Sequence, residues 1–170
     1  NGIKLDTKYL AKMSSELSDQ ISDIEQEIYG IADSQFNISS PQQLADVLFS
    51  KLKLPVQGIK KGKTGYSTAA SELDKLRGQS PIIDLISQYR EYTKLKNTYV
   101  DTLPRLVDGA SRIHTTFNLT IAQTGRLSST DPNLQNIPVR TELGKRIRTA
   151  FIAEKDTALV SADYSQFELR

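Results

Sequence analysis

The chain has 170 residues, 38% of them hydrophobic and 25% charged, a composition that supports a packed core and excludes wholesale disorder. It contains no cysteine, which excludes disulfides and thiolate metal sites, and its net charge of +2 names no partner by itself. No apolar run approaches the roughly 18 residues a membrane-spanning helix needs, so no membrane partner is expected and a cytoplasmic location is.

The distribution of charge says more than its sum. Residues 1–46 carry three basic and eight acidic side chains, whereas residues 47–71 carry five lysines and no acid. Such a basic stretch suits either an anionic partner met at one place or a solvated lysine-rich loop. The opening, Asn1 to Asp6, has neither a starting Met nor a signal-peptide pattern, and reads as the cut edge of a longer protein.

Leu10, Met13, Leu17, Ile21, Ile24, Ile28 and Ile31 recur at steps of three and four, one apolar stripe on a helix of about seven turns. Asp6 is its expected N-cap, and the pattern fades at Gly30. So long a single seam needs a partner to cover it. Ser40-Pro41 has the form of a cap followed by proline at the first helical position, and Leu44, Val47, Leu48 and Leu52 give a short amphipathic helix.

From Lys53 to Ser67, three glycines, a proline and four lysines predict a mobile exposed loop. A short helix is expected over residues 68–77, stopped by Gly78. Ser80-Pro81 then opens a longer one whose buried side runs from Ile82 to Leu106, with a bend at Pro104. After Gly109 the pattern changes. Ile113, Thr115 and Phe117 alternate with polar residues as in a strand, and Leu119 to Gln123 are its expected partner. Residues 124–138 are polar and aperiodic, and a short helix is expected near 142–148. Ala158 to Ala162 form a small apolar run, as in a strand buried on both faces, delivering Asp163 at its end.

Helices first and strands second predict an α+β chain, a helical part over residues 1–109 and the start of an antiparallel sheet over residues 110–170. The strongest chemical candidate is Asp163-Tyr164-Ser165-Gln166-Phe167-Glu168-Leu169-Arg170. A carboxylate ending a buried strand needs a partner or a metal, and Mg²⁺ takes oxygen ligands. Ser165 and Glu168 also fit a capping box, so Glu168 has a purely structural reading beside any functional one.

That segment resembles the first catalytic palm motif of the family A (bacterial DNA polymerase I type) DNA polymerases. Thr124-Gly125-Arg126-Leu127-Ser128-Ser129 followed by Asp131-Pro132-Asn133-Leu134-Gln135-Asn136-Ile137-Pro138 resembles the family's primer–template motif. Residues 36–44 and Tyr89-Arg90-Glu91-Tyr92-Thr93-Lys94-Leu95-Lys96-Asn97-Thr98-Tyr99 resemble its thumb. The likeness covers essentially the whole chain; Phe167 stands where the family usually has isoleucine.

The resemblance implies a thumb over residues 1–109 and the first part of the palm over 110–170, with the fingers and the second catalytic aspartate beyond Arg170. The parent would be a DNA-directed DNA polymerase of replication and repair, and these 170 residues alone would be inactive. Asp163 matches the catalytic carboxylate that bridges two Mg²⁺ ions, and Tyr164 the position whose carbonyl also binds metal. Gln166 and Glu168 match nucleotide-binding positions, Glu168 the one that disfavours a 2′-hydroxyl.

For DNA, the resemblance implies minor-groove contact by Arg126, duplex contacts by Asn133, Gln135 and Asn136, and backbone contact by Arg140. Lys60, Lys61 and Lys63 match a thumb tip that meets phosphates without reading sequence. Arg90, Lys94, Asn97 and Thr98 match a helix facing the duplex, while Tyr99 suits either that face or the core. Implied partners are primer–template DNA and deoxynucleoside triphosphates, with the parent a monomer.

Other readings account for less. A helical DNA-binding module leaves Asp163 and residues 124–138 without a role, a helical bundle explains only residues 1–108, and Glu168 argues against a single-subunit RNA polymerase. Gly58 to Thr64 nearly spells a phosphate-binding loop, but the glycines are one residue too close. His114, the one histidine, has no nucleophile or metal cluster beside it in the sequence.

Overall fold

The computed structural model describes residues 2–162, and these form an α+β chain. They group into two units, residues 14–97 and residues 2–13 with 98–162. Strand β1, Ile3–Leu5, leads into helix α1, Thr7–Ala32. Asp6 Oδ1 accepts the Tyr9 N–H at 2.9 Å, the expected N-cap. Leu10, Met13, Leu17, Ile24 and Ile28 are all buried, so the apolar stripe is the packed face of the helix. The helix runs past Gly30 to Ala32. Asp33 then turns the chain with a φ of 48°, and its carbonyl accepts a 2.7 Å bond from Lys51.

In the unit of residues 14–97, Ser40 Oγ accepts the Gln43 N–H and Pro41 begins α2, Pro41–Ala45. The helix widens into a π-helical turn over Asp46–Lys51. The lysine-rich segment is exposed over most of its length, as its composition predicts, and it also carries a short hairpin that composition does not signal. Strands β2, Lys61–Gly62, and β3, Gly65–Tyr66, pair antiparallel with Lys61 opposite Tyr66. Helix α3, Ala70–Leu73, tightens into a 3₁₀ turn at Asp74–Leu76, and Gly78 closes it at a φ of 80°. Helix α4, Ile82–Leu95, follows Ser80-Pro81 and continues as a π-helical turn over Lys96–Val100. Ile28, Leu44, Leu48, Leu73, Ile83 and Ile86 meet in one core, so α1 finds its cover in α2, α3 and α4. Tyr89, on α4, donates to Glu25 Oε1 at 3.3 Å.

In the other unit, Pro104 lies in a separate 3₁₀ turn, Leu103–Arg105, so the helix has ended before the proline. Strands β4, Arg112–Ile113, β5, Thr116–Asn118, and β6, Ser128–Thr130, precede helix α5, Glu142–Thr149, and strand β7, Phe151–Ile152. Strand β1 is the centre of an antiparallel sheet ordered β4-β1-β7, with Ile3 opposite Ile113 and Leu5 opposite Phe151. Glu154 ties the sheet together by accepting from Lys4 at 2.6 Å and Arg112 at 3.0 Å. A second antiparallel pair joins β5 to β6, with Phe117 opposite Ser129.

The expected fold class stands, helices with small antiparallel sheets, but two local expectations do not, and one strand was not expected at all. β1 gave no sequence signal because three residues are too short for a period-two pattern. The partner of β5 is β6, not Leu119 to Gln123. Thr115 Oγ1 and Ser129 Oγ meet at 2.6 Å beside this pairing, polar contacts that an apolar period does not register. Ala158 to Ala162 is no buried strand: Leu159 is 57% and Val160 88% exposed. An apolar run becomes a strand only when a neighbour offers it a ladder, and among the described residues none pairs with this one.

Candidate nucleic-acid interface

The β2–β3 hairpin turns through Lys63 and Thr64, and Gly65 supplies the φ of 128° that a side chain would resist. Its base is closed twice. Ser67 N–H donates to the Lys60 carbonyl at 2.8 Å, and Lys60 N–H donates to Glu72 Oε2 at 3.0 Å. Glu72 is almost fully buried, and it accepts from Lys75 Nζ at 2.7 Å while Lys75 also reaches the Gly58 carbonyl at 2.8 Å. The Lys75 hydrogen bond, and then the Lys60 amide, hold the Glu72 carboxyl below the usual range. The hairpin thus fixes its backbone on a carboxylate and leaves its cations outward. Lys60, Lys61 and Lys63 are exposed, and their ammonium groups form no ion pair among the described residues. Lys61 sits 5.3 Å from the Tyr66 ring centroid, and that ring packs on Phe49 at 5.2 Å.

Beside the hairpin, Arg90 projects from α4 and donates from Nη1 to the Thr68 carbonyl at 2.6 Å and from Nη2 to Thr68 Oγ1 at 3.5 Å. Thr68 is buried and Arg90 half-buried; burial draws the guanidinium pKa down. The two, with Pro41, Gln42, Tyr66 and Ser67, line a cleft of about 440 Å³. Lys94 and Asn97, further along the same helical run, are exposed, as is Thr98, which belongs to the other unit. Tyr99 is 7% exposed and its phenol is raised by burial, so of its two readings the structure takes the core.

In the other unit, the turn after β6 is built on polar bonds. Ser129 Oγ, almost wholly buried, lies 2.6 Å from Thr115 Oγ1 and accepts the Leu134 N–H at 3.2 Å. Asn133 Oδ1 accepts the N–H groups of Gln135 and Asn136 at 3.0 and 3.2 Å. Gln135 accepts the Ser129 N–H at 3.2 Å and donates to the Leu127 carbonyl at 2.9 Å. Asn133 and Gln135 therefore engage their side chains in holding the turn, while Arg126, Asn136 and Arg140 are exposed around it. His114 donates or accepts at Nε2 with Asp108 Oδ2, 2.8 Å away.

The sequence does not single out Glu72, whose one signal is that it is the first acid after a run of five lysines; residue 68 is read only as a helix start, Thr115 only as a strand residue and Ser129 only as part of a motif.

Asp163, Tyr164, Gln166 and Glu168 lie outside the described residues. Among the described residues, no group of three or more His, Cys, Asp or Glu side chains is placed to hold a metal ion. No described helix is long and apolar enough to cross a membrane.

Comparison with known proteins covers almost the full length. The sequence pattern of DNA polymerase family A matches residues 7–170. The chain is 52% identical over 170 residues to DNA polymerase I of Synechocystis sp., covering 99% of this chain and 17% of that protein. It is 56% identical over 171 residues to the thermostable DNA polymerase I of Thermus caldophilus, covering 99% and 20%. The POL domain of Pol1 from M. smegmatis, solved in complex with DNA primer-template and dNTP, is similar in fold. The TM-score is 0.81 at 48% identity, over 91% of this chain and 27% of that one. The chain thus spans about a fifth of the length of the curated relatives it matches.

Proposed function

The chain belongs to DNA polymerase family A, and on that premise we propose that it is the thumb, residues 1–109, and the start of the palm, residues 110–170, of a DNA-directed DNA polymerase. The observation that carries the DNA-binding part is the hairpin: three exposed lysines on a backbone anchored from beneath, without ion-pair partners among the described residues. Cations presented this way neutralise phosphates and release condensed counterions without reading bases, as a replicating or repairing polymerase requires. Lys94 and Asn97 extend that surface, Arg90 sits half-buried against Thr68 beside it, and Thr98, in the other unit, is a separate proposed contact. Arg126, Asn136 and Arg140 form a second surface around a turn whose shape Asn133 and Gln135 hold.

Asp163 is the proposed catalytic carboxylate. With the Tyr164 carbonyl it is the position that would hold Mg²⁺, and this all-oxygen donor set suits that ion. When bound, two such ions stabilise the attacking and leaving oxygens of phosphoryl transfer. Gln166 and Glu168 would face the incoming deoxynucleoside triphosphate, Glu168 crowding a 2′-hydroxyl. The proposed enzyme is cytoplasmic and monomeric.

Primer extension tests the catalytic part. In a polymerase that includes these residues, Asp163→Asn is expected to nearly abolish turnover while duplex binding persists; near-normal turnover would remove Asp163 from this role. The 170 residues alone are expected not to extend a primer, since the two-metal scheme needs a second carboxylate.

A further inference from the structure

The lysine hairpin is held at both ends by side chains from outside it. At one end Glu72 accepts the Lys60 N–H at 3.0 Å; at the other Arg90 donates to the Thr68 carbonyl at 2.6 Å. Between them, Ser67 N–H closes onto the Lys60 carbonyl at 2.8 Å. A two-stranded hairpin of two residues a side is marginal by itself in water, so these anchors bear on whether it forms at all.

Arg90 has particular features. It is half-buried, its two nearest acceptors belong to one neutral residue, and no carboxylate pairs with it among the described residues. A guanidinium in that setting has its donors aimed by geometry, two of them onto Thr68, and its planar fork suits this two-point grip better than a lysine would. A side chain whose purpose was to neutralise a phosphate would keep its charge in water until DNA arrived, as Lys60, Lys61 and Lys63 do.

We propose that Arg90 and Glu72 are positioning residues that pre-order the lysine hairpin. Arg90 holds the Thr68 carbonyl and Glu72 the Lys60 amide, so that the three lysines meet duplex phosphates without first ordering the loop. The inference rests on the reading of the hairpin as a DNA contact. It differs from a direct phosphate contact by Arg90 in how the residues couple. A positioning Arg90 acts through the lysines; a direct contact acts beside them.

The test is a double-mutant cycle on the 170-residue chain with a fluorescent duplex, together with residue-resolved amide exchange on the DNA-free chain. Arg90→Met should speed exchange at the Lys60 and Ser67 amides while the α1 core amides around Leu17 and Ile28 stay protected. It should weaken duplex binding about three- to tenfold, the scale of removing one or two hydrogen bonds. In the background Lys60→Ala, Lys61→Ala, Lys63→Ala it should cost almost nothing further. Arg90→Lys, which keeps the charge but loses the fork, should recover hairpin protection only in part. Unchanged protection at Lys60 and Ser67 in Arg90→Met would overturn the proposal, and so would an equal fold-loss of binding in both backgrounds, which marks a direct contact. If protection falls as expected but neither the triple lysine variant nor Arg90→Met alters binding, the positioning role survives and the DNA reading of the hairpin fails.

Discussion

Asp108 and His114 face each other across the turn into β4, with Oδ2 and Nε2 2.8 Å apart, while Asp108 Oδ1 accepts the N–H groups of Ala110 and Arg112 at 2.8 and 2.9 Å. The His114 hydrogen bond, and then the Arg112 amide, lower the carboxyl pKa from its ordinary 3.8 to about 2. A carboxyl depressed in the folded chain adds stability that is present above its unfolded value and lost as pH falls through the folded one. The native chain should therefore be more stable to urea than Asp108→Asn at pH 6, and the gap should close as pH drops from about 4 to about 2. An equal gap at pH 6 and at pH 2 would show that the carboxylate's charge is not what holds the turn.

Gly144 offers a prediction with an unusual sign. In a helix interior, Gly→Ala ordinarily stabilises by about 1 kcal/mol. Here a Cβ at Gly144 would fall 2.7 Å from Pro138 Cβ and closer still to the Pro138 carbonyl oxygen, which is backbone and cannot swing away. Gly144→Ala should therefore lower the urea midpoint. A raised midpoint would mean that α5 leaves room for a methyl group beside Pro138.

Ser129 Oγ serves Thr115, Leu134 and the Pro132 carbonyl from a position 1% exposed. Ser129→Ala leaves the partly buried Leu134 N–H without its acceptor, and losing such a hydrogen bond costs about 1 kcal/mol. The loss should appear in equilibrium unfolding, together with faster exchange at Leu134. A variant as stable as wild type would mean that water replaces the hydroxyl.

How much of this was legible in the sequence depends on what wrote the signal. The α1 stripe, the Asp6 cap and the Ser40-Pro41 start obey local rules, and they fold as those rules require. Arg126, Asn136, Arg140 and the lysines were found by resemblance, and they lie on the surface. What escaped depends on distant partners. β1 is defined by Ile113 and Phe151 more than a hundred residues away, and β6 by its pairing with β5. Composition gave no sign of the hairpin within residues 53–67, because it cannot register that Glu72 and Arg90 arrive from elsewhere to fix the backbone. Ala158 to Ala162 shows the converse: apolar character without a partner strand among the described residues makes no strand.

The most direct measurement is the salt dependence of duplex binding by the 170-residue chain, wild type against Lys60→Ala, Lys61→Ala, Lys63→Ala. Wild type should bind unrelated duplex sequences alike, with log affinity falling steeply against log salt. The triple variant should bind more weakly, its slope flattened by up to about 0.9 for each duplex phosphate it no longer neutralises. Identical affinity and slope for the two proteins would contradict a DNA-facing hairpin and leave the lysines as an ordinary solvated turn.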